Sequence, residues 1–303
     1  MLQQFNQANA DLIVNINGEL VHRDQAGVSP FDSSVQNGDA VWEGLRLYQG
    51  KIFKLKAHLE RLRRSAEMLR YEGFPADEKL IEELRRTLAA NKMWDQVHIR
   101  LTVSRGLKYT SGLDPRINQQ GCSFFILAEH KKPVYDRRGL SLHTATVRRP
   151  FANVLNQHIH SCNQLISILA KMEANAVGAD DALMLDTAGN LAETNATHVF
   201  LVKDGAVLTS TTKACPEGIT RMTVLALCLE HGIPVEVRDI AEAEIHQADE
   251  VFCTGTMGEI TAVVRIDGTV FGAGTVGPMT ARLNELYLQA TAACDELAIA
   301  EKV

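Results

Sequence analysis

The sequence predicts an α+β fold with mixed or antiparallel sheets, on three observations. Apolar alternating runs are joined by two-residue turns such as Asn17-Gly18 and Asp204-Gly205. These runs are interleaved with single amphipathic helices rather than with the regular alternation of a doubly wound sheet. A charged stretch containing Pro133 and Gly139, residues 129–139, separates two apolar strands and reads as an interdomain linker. Residues 1–128 therefore form an N-terminal domain and residues 140–303 a C-terminal one.

The elements follow in order. Leu12–Ile16 and Glu19–Val21 flank Asn17-Gly18, which suits a type I′ hairpin turn. Leu45–Tyr48 and Ile52–Leu55 form a second hairpin around Gln49-Gly50. Leu59, Leu62, Ala66 and Leu69 share one face of a helix over 57–71, and a second helix covers 78–91. Val97–Ser104 alternates strictly, with Val97, Ile99, Leu101 and Val103 on one side and His98, Arg100, Thr102 and Ser104 on the other. Ser123–Ala128 is a further strand. Beyond the linker come a strand over 140–147, a loop over 148–160 and a helix over 161–177. Strands follow at 182–186, 199–203 and 206–210, then a helix over 219–231. Strands near 234–238, 250–254 and 261–266 and a C-terminal helix over 280–297 complete the chain.

Composition narrows the function. The 303 residues are 46% hydrophobic and 22% charged, with a net charge of −6, which leaves no electrostatic footprint for nucleic acid or an anionic membrane. Six scattered cysteines lack CxxC or metal-ligand spacing and fit reduced thiols. No basic-then-apolar leader opens the sequence and no run reaches the length of a membrane span, so a cytoplasmic location is expected. The histidines show no metal-binding spacing, and none is expected to hold a metal. Gly272–Gly277 matches GxGxxG formally, but only 26 residues follow it, too few for a dinucleotide-binding unit.

Several residues carry candidate chemistry. Glu193, after Gly189-Asn190 and between two strands, offers a carboxylate for a cationic ring nitrogen; a solvated turn glutamate is the competing reading. Gly218-Ile219-Thr220-Arg221 opens a helix, where unpaired N–H groups and the macrodipole bind phosphate, although a plain helix start reads the same way. Thr256 stands in a glycine-containing break after an apolar strand and suits either a phosphate contact or an ordinary turn. Arg61 projects from the first helix, as a surface arginine or an anion ligand. His98 and Arg100, at i and i+2 on one strand face, could meet a substrate carboxylate or face solvent.

Together, Asn37–Arg46, His58–Leu62, Gly178–Asp186, Gly218–Arg221 and Ala248–Thr256 resemble, in order and spacing, the class IV (fold-type IV) pyridoxal-phosphate aminotransferases. That family includes branched-chain and D-amino-acid transaminases. The resemblance implies a small N-terminal α/β domain and a larger C-terminal domain enclosing the cofactor, pyridoxal 5′-phosphate or pyridoxamine 5′-phosphate, and a homodimer acting on amino acids and 2-oxo acids. It assigns Arg61, Ile219, Thr220 and Thr256 to the phosphate, Glu193 to the pyridine nitrogen and Asn37 to the substrate pocket.

The family's Schiff-base lysine falls three residues before an Asn-Tyr-Leu-like element, and Asn163-Gln164-Leu165 puts His160 there. An imidazole moves protons but cannot form that imine. Three accounts are open. Another lysine, such as Lys213, substitutes, whereas Lys171 lies about 16 Å along a helix from His160. Alternatively the cofactor binds non-covalently, with His160 as general base. In the third account the chain is a non-catalytic homologue with a binding, sensing or scaffold role. The retained Glu193 and Gly218–Arg221 favour a cofactor-binding enzyme over the third.

Overall fold

The computed structural model describes residues 3–135, 138–294, 296 and 298–300. Asp136 and Arg137, in the expected linker, lie outside the described residues. The chain divides into two compact units: the first ends at Lys132 and takes in Ile159–Asn163 and the stretch from Cys294, while the second comprises Pro133–His158 and Gln164–Ala293.

The first unit contains β1 (Ile13–Ile16), β2 (Glu19–His22), α1 (Ser33–Asn37), β3 (Ala40–Tyr48), β4 (Lys51–Ile52), α2 (Leu55–Met68), α3 (Asp77–Ala90), β5 (Val97–Ser104) and β6 (Ser123–His130). Its strands form one antiparallel sheet in the order β2-β1-β6-β5-β3-β4. Asn17 and Gly18 take positive φ values of 55° and 90°, as the expected turn requires. Val97, Ile99, Leu101 and Val103 point to the face that packs on Leu59, Leu62 and Ala66 of α2 and Leu80, Leu84 and Leu88 of α3. Strand β4 pairs only with Leu47 and Tyr48, so the early half of β3 has an open edge. Residues 159–163 fill it: Val41 bridges Ser161, and the Cys162 N–H donates to the Ala40 carbonyl at 2.7 Å.

The second unit contains β7 (Leu140–Thr144), α4 (Leu165–Ala176), β8 (Asp181–Leu185), β9 (Leu191–Thr194), β10 (His198–Lys203), β11 (Ala206–Thr209), α5 (Ile219–Glu230), β12 (Val235–Val237), α6 (Glu242–Ile245), β13 (Glu250–Gly255), β14 (Glu259–Ile266), β15 (Thr269–Val270) and α7 (Pro278–Ala292). The sheet runs β12-β11-β10-β13-β14-β7-β8-β9, with β15 on β14, and mixes parallel pairs (β11/β12, β14/β7, β7/β8) with antiparallel ones. Every residue of β8 is buried, which accounts for its apolar run from Ala182 to Leu185.

Four expectations need correction. The second hairpin has only Lys51-Ile52 as its return arm, because Leu55 already opens α2. The helix expected from 161 begins at Leu165, because the backbone of 161–163 bonds to β3 instead. Glu193 lies within a strand, β9, paired to Met184, rather than between two strands. The last helix starts at Pro278, a favoured first-turn residue, and ends at Ala292. Elements of four or five residues, α1, α6 and β9, were not anticipated, since so few residues carry no readable period. Among the described residues no helix is long and apolar enough to cross a membrane.

Gly106 closes the turn after β5 at φ +99°, where a Cβ would collide with the carbonyl oxygen of Gly121. Gly106→Ala is expected to cost about 1–3 kcal/mol or more through the left-handed φ and the clash. Urea unfolding checks this, and an unchanged midpoint would contradict the tight approach.

Candidate functional site

In the first unit the site is organised by a carboxylate on an apolar face. Glu43 pairs in register with Leu101, so its side chain points with the core residues towards α2, and it is fully buried. His58 and Arg61, one turn apart on α2, meet it there. Arg61 donates from Nε to Oε1 at 2.7 Å and from Nη2 to Oε2 at 2.6 Å, and His58 Nδ1 bonds Oε2 at 2.6 Å. Burial opposes the charge on Glu43, but the Arg61 guanidinium and His58 outweigh it and hold the carboxyl well below its usual range. An ionised Glu43 accepts, so His58 Nδ1 is the donor.

His160 joins this cluster from the inserted segment. Its N–H donates to Ser65 Oγ at 3.1 Å, its Nδ1 lies 2.5 Å from the Trp42 carbonyl oxygen and 3.7 Å from Glu43 Oε1, and its ring stacks on Trp42 with centroids 4.5 Å apart. Burial, with Arg61 nearby, pushes its pKa down from 6.5 to about 4, against the opposing pull of Glu43. The imidazole is therefore neutral at pH 7.

The outer face of the same sheet carries the other expected residues. Arg100 lies over the Trp42 ring at 3.9 Å, with Nη2 3.6 Å from Cys162 Sγ. His98 is not a second cation beside it: burial and the charges of Lys131, Arg46 and Arg100 push its pKa down to about 3. Asn37 ends α1, and its Oδ1 accepts from the buried Lys108 ammonium.

The second unit brings together a different set. Glu193 is buried, with Oε1 2.7 Å from Arg149 Nη2 and Oε2 4.0 Å from His198 Nε2. Arg149 also donates to Gln157 Oε1 and Ser167 Oγ, at 3.1 and 3.0 Å. Helix α5 starts at Ile219 after the N-cap Gly218 with no side-chain cap, so the first N–H groups point out of the helix end. A Cβ on Gly218 would come within 2.5 Å of the His198 ring, so any side chain there would have to displace that ring. Thr220 is buried in the first turn, and Thr256 is half-buried just after β13. Lys213 is exposed and ion-paired to Asp239 Oδ2 at 2.6 Å, and Lys171 reaches Asp181 Oδ1 at 3.3 Å.

Each set was partly legible. Arg61 and His160 fall in one cluster, and Glu193 shares its unit with Ile219, Thr220 and Thr256. Glu43, Trp42 and Arg149 were missed as functional residues. A signal for Glu43 existed, since a lone acid in an apolar strand needs a partner and His58 and Arg61 sit at i, i+3. Nothing in the sequence separates Arg149 from Arg148.

The comparisons agree with this architecture. The family model described as Amino-transferase class IV matches residues 40–266. The chain belongs to that family, and its α+β fold is the fold of the class IV branched-chain aminotransferases. It is 50% identical over 284 residues to branched-chain-amino-acid aminotransferase-like protein 2 of Arabidopsis thaliana, covering 93% of this chain but 51% of that protein. The chain thus spans about half that relative's length. It is 38% identical over 275 residues to the putative branched-chain-amino-acid aminotransferase of Methanocaldococcus jannaschii, covering 90% of this chain and 94% of that one. The solved T.th. branched-chain amino acid aminotransferase with pyridoxamine 5′-phosphate superposes at a TM-score of 0.87 and 34% identity, covering 94% of this chain and 96% of that one.

The depressed histidines set a pH dependence. The unfolded chain protonates both near 6.5, whereas folded His160 and His98 resist until about 4 and 3. Stability is therefore lost as pH falls below about 6.5, by about 3 kcal/mol for His160 at pH 4. Glu43, with its lowered pKa, contributes stability that is lost only at lower pH still, so it does not offset this window. Thermal unfolding from pH 7 to 4.5 should show a falling midpoint, with a shallower slope in His160→Gln.

Proposed function

We propose that the chain binds pyridoxal 5′-phosphate or pyridoxamine 5′-phosphate without a covalent link and supports amino-group transfer between an amino acid and a 2-oxo acid, with His160 as the proton carrier. The observation that carries this reading is Glu193, a buried carboxylate with its own arginine. A plain strand residue has no need of such an arrangement, because burying a charge is costly unless it is paired.

The residues of the second unit fit the cofactor. The uncapped end of α5 beneath Gly218 suits a phosphate, which the N–H groups of Ile219 and Thr220 and the hydroxyls of Thr220 and Thr256 would hold. Glu193 would face the pyridine nitrogen and favour its protonated form. When bound, the cofactor supplies an electron-withdrawing ring that labilises bonds at the substrate's Cα. Arg61 keeps the phosphate role implied by the resemblance only alongside its pair with Glu43.

The residues of the first unit handle the proton. Among the described residues, those in contact with His160 are Trp42, Glu43 and Ser65, with Arg61 and His58 nearby, and none of these is a lysine. Lys213 and Lys171 are each engaged by an aspartate. A neutral imidazole can accept a proton at pH 7 and return it. Asn37, His98 and Arg100 would contact the substrate, with Arg100 as the cation for its carboxylate.

The proposed partner is a second copy. Leu165, Ile168, Leu169 and Met172 stand at i, i+3, i+4 and i+7 on the exposed side of α4. The neighbouring charges are drawn away from this stripe, Lys171 to Asp181 and Glu173 to Thr146. A stripe on one helix is self-complementary about a two-fold axis.

Three experiments test these readings. Glu193→Gln is expected to reduce amino-group transfer by protein loaded with pyridoxamine phosphate by roughly 100-fold or more. In the wild type, borohydride reduction with pyridoxal phosphate should leave no adduct on peptide mapping. Retained turnover in the variant would sink the role of Glu193, and a single lysine adduct would sink the non-covalent reading. For the partner, light scattering should find a dimer that Ile168→Glu with Met172→Glu converts to monomer; a wild-type monomer would overturn the self-association.

A further inference from the structure

We infer that Trp42 is the positioning residue that holds His160 in a single tautomer, with Nε2 as the proton-accepting atom. The inference rests on the reading of His160 as proton carrier, and it names the atom that does the carrying and the residue that aims it.

Three contacts tie the two residues together, and a fourth reaches the residue after His160. The Trp42 N–H donates to the His160 carbonyl at 3.0 Å, which sets the backbone of the inserted segment against β3. The Trp42 carbonyl oxygen lies 2.5 Å from His160 Nδ1. The rings stack at 4.5 Å with 24° between their planes. The indole Nε1–H donates to the carbonyl of the next residue, Ser161, at 3.1 Å. The indole is itself braced by the Arg100 guanidinium, which Cys162 Sγ contacts two residues beyond His160.

The second contact decides the tautomer. A backbone carbonyl has no proton to give, so Nδ1 must carry the hydrogen and the Nε2 lone pair is left for a proton from outside. Glu43 Oε1, 3.7 Å from the same Nδ1, is the competitor for that hydrogen. It loses because its carboxylate already accepts twice from Arg61 and once from His58, all at 2.6–2.7 Å. In a transfer step Nε2 takes one proton and later returns it, while Nδ1 keeps its own throughout. The cluster therefore neither gains nor loses a proton over the cycle. The nearby carboxylate of Glu43 compensates the transient positive charge on the ring.

The charged and titratable groups facing His160 are Glu43 from β3 and His58 and Arg61 from α2, with Arg100 of β5 acting through the indole. Burial and then Arg61 keep the ring neutral at rest, and Glu43 pulls the other way. The stack adds no charge but removes rotational freedom. An imidazole free to turn about χ2 would present either nitrogen.

The tautomer can be read without cofactor or substrate. Two-bond ¹H–¹⁵N correlation spectra of ¹⁵N-histidine-labelled protein at pH 7, assigned by the signals lost in His160→Gln, should show an Nδ1–H, Nε2-bare ring. Trp42→Leu keeps the carbonyl but removes the ring and the Nε1–H, and should give mixed tautomers. Trp42→Phe, which restores a stacking face, should recover most of the single form. An Nε2–H ring in the wild type overturns the inference, and so does an unchanged single tautomer in Trp42→Leu. If Trp42→Leu does not fold, the wild-type and Trp42→Phe spectra still decide. An intact tautomer in a protein without amino-group transfer would count against the proposed activity alone.

Discussion

The buried carboxylate of Glu43 sets the arrangement of the first unit. It sits in the apolar face of a sheet, where an isolated charge is costly, and so it dictates its surroundings. Arg61 and His58 must be one turn apart on α2, and α2 must lie across β3 in one register, for three donors to meet its two oxygens. Removing one partner from such a cluster costs about 3–5 kcal/mol, because the others remain buried and charged. Because β4 pairs only with the end of β3, residues 159–163 take the edge beside Glu43, and His160 comes within reach of it.

The second unit solves a similar problem with other elements. Strand β9 carries Glu193 into the interior, and Arg149, held by Gln157 and Ser167, meets it there. The start of α5 is kept bare because Gly218 abuts the His198 ring, whose Nε2 is bonded to the Pro216 carbonyl at 2.7 Å. A carboxylate and an open helix end carry opposite preferences: one favours a cationic ring atom, the other an anion. Both preferences are met by a phosphorylated pyridine, which connects this unit's chemistry to that of the family.

The two histidines of interest differ in kind. His98 is neutral because it is buried and three cations lie beside it, and it lines a positive face rather than adding to it. His160 is neutral because it is buried beside Arg61, yet it keeps a carboxylate in range. Only the second environment suits a group that must accept a proton and give it back, since only there is the charged form compensated.

Much of the fold was legible in the sequence, and so were some members of each side-chain cluster. Period-two alternation announced β5, the Asn-Gly turn announced the first hairpin, and the helical faces of α2 and α3 were readable, because these patterns are local. The open start of α5 and Glu193 were visible as residue types, although Glu193 was expected between two strands rather than within one. What the sequence could not determine was which distant groups would meet. Residues 161–163 read as the start of a helix, yet an open strand edge more than a hundred residues earlier claims their backbone. Glu43 gains its role only when α2 packs across the sheet, and the tautomer of His160 follows from a carbonyl 118 positions away in sequence. Local propensity belongs to the sequence, whereas burial, charge pairing and the direction of a hydrogen bond arise only when the chain has closed on itself.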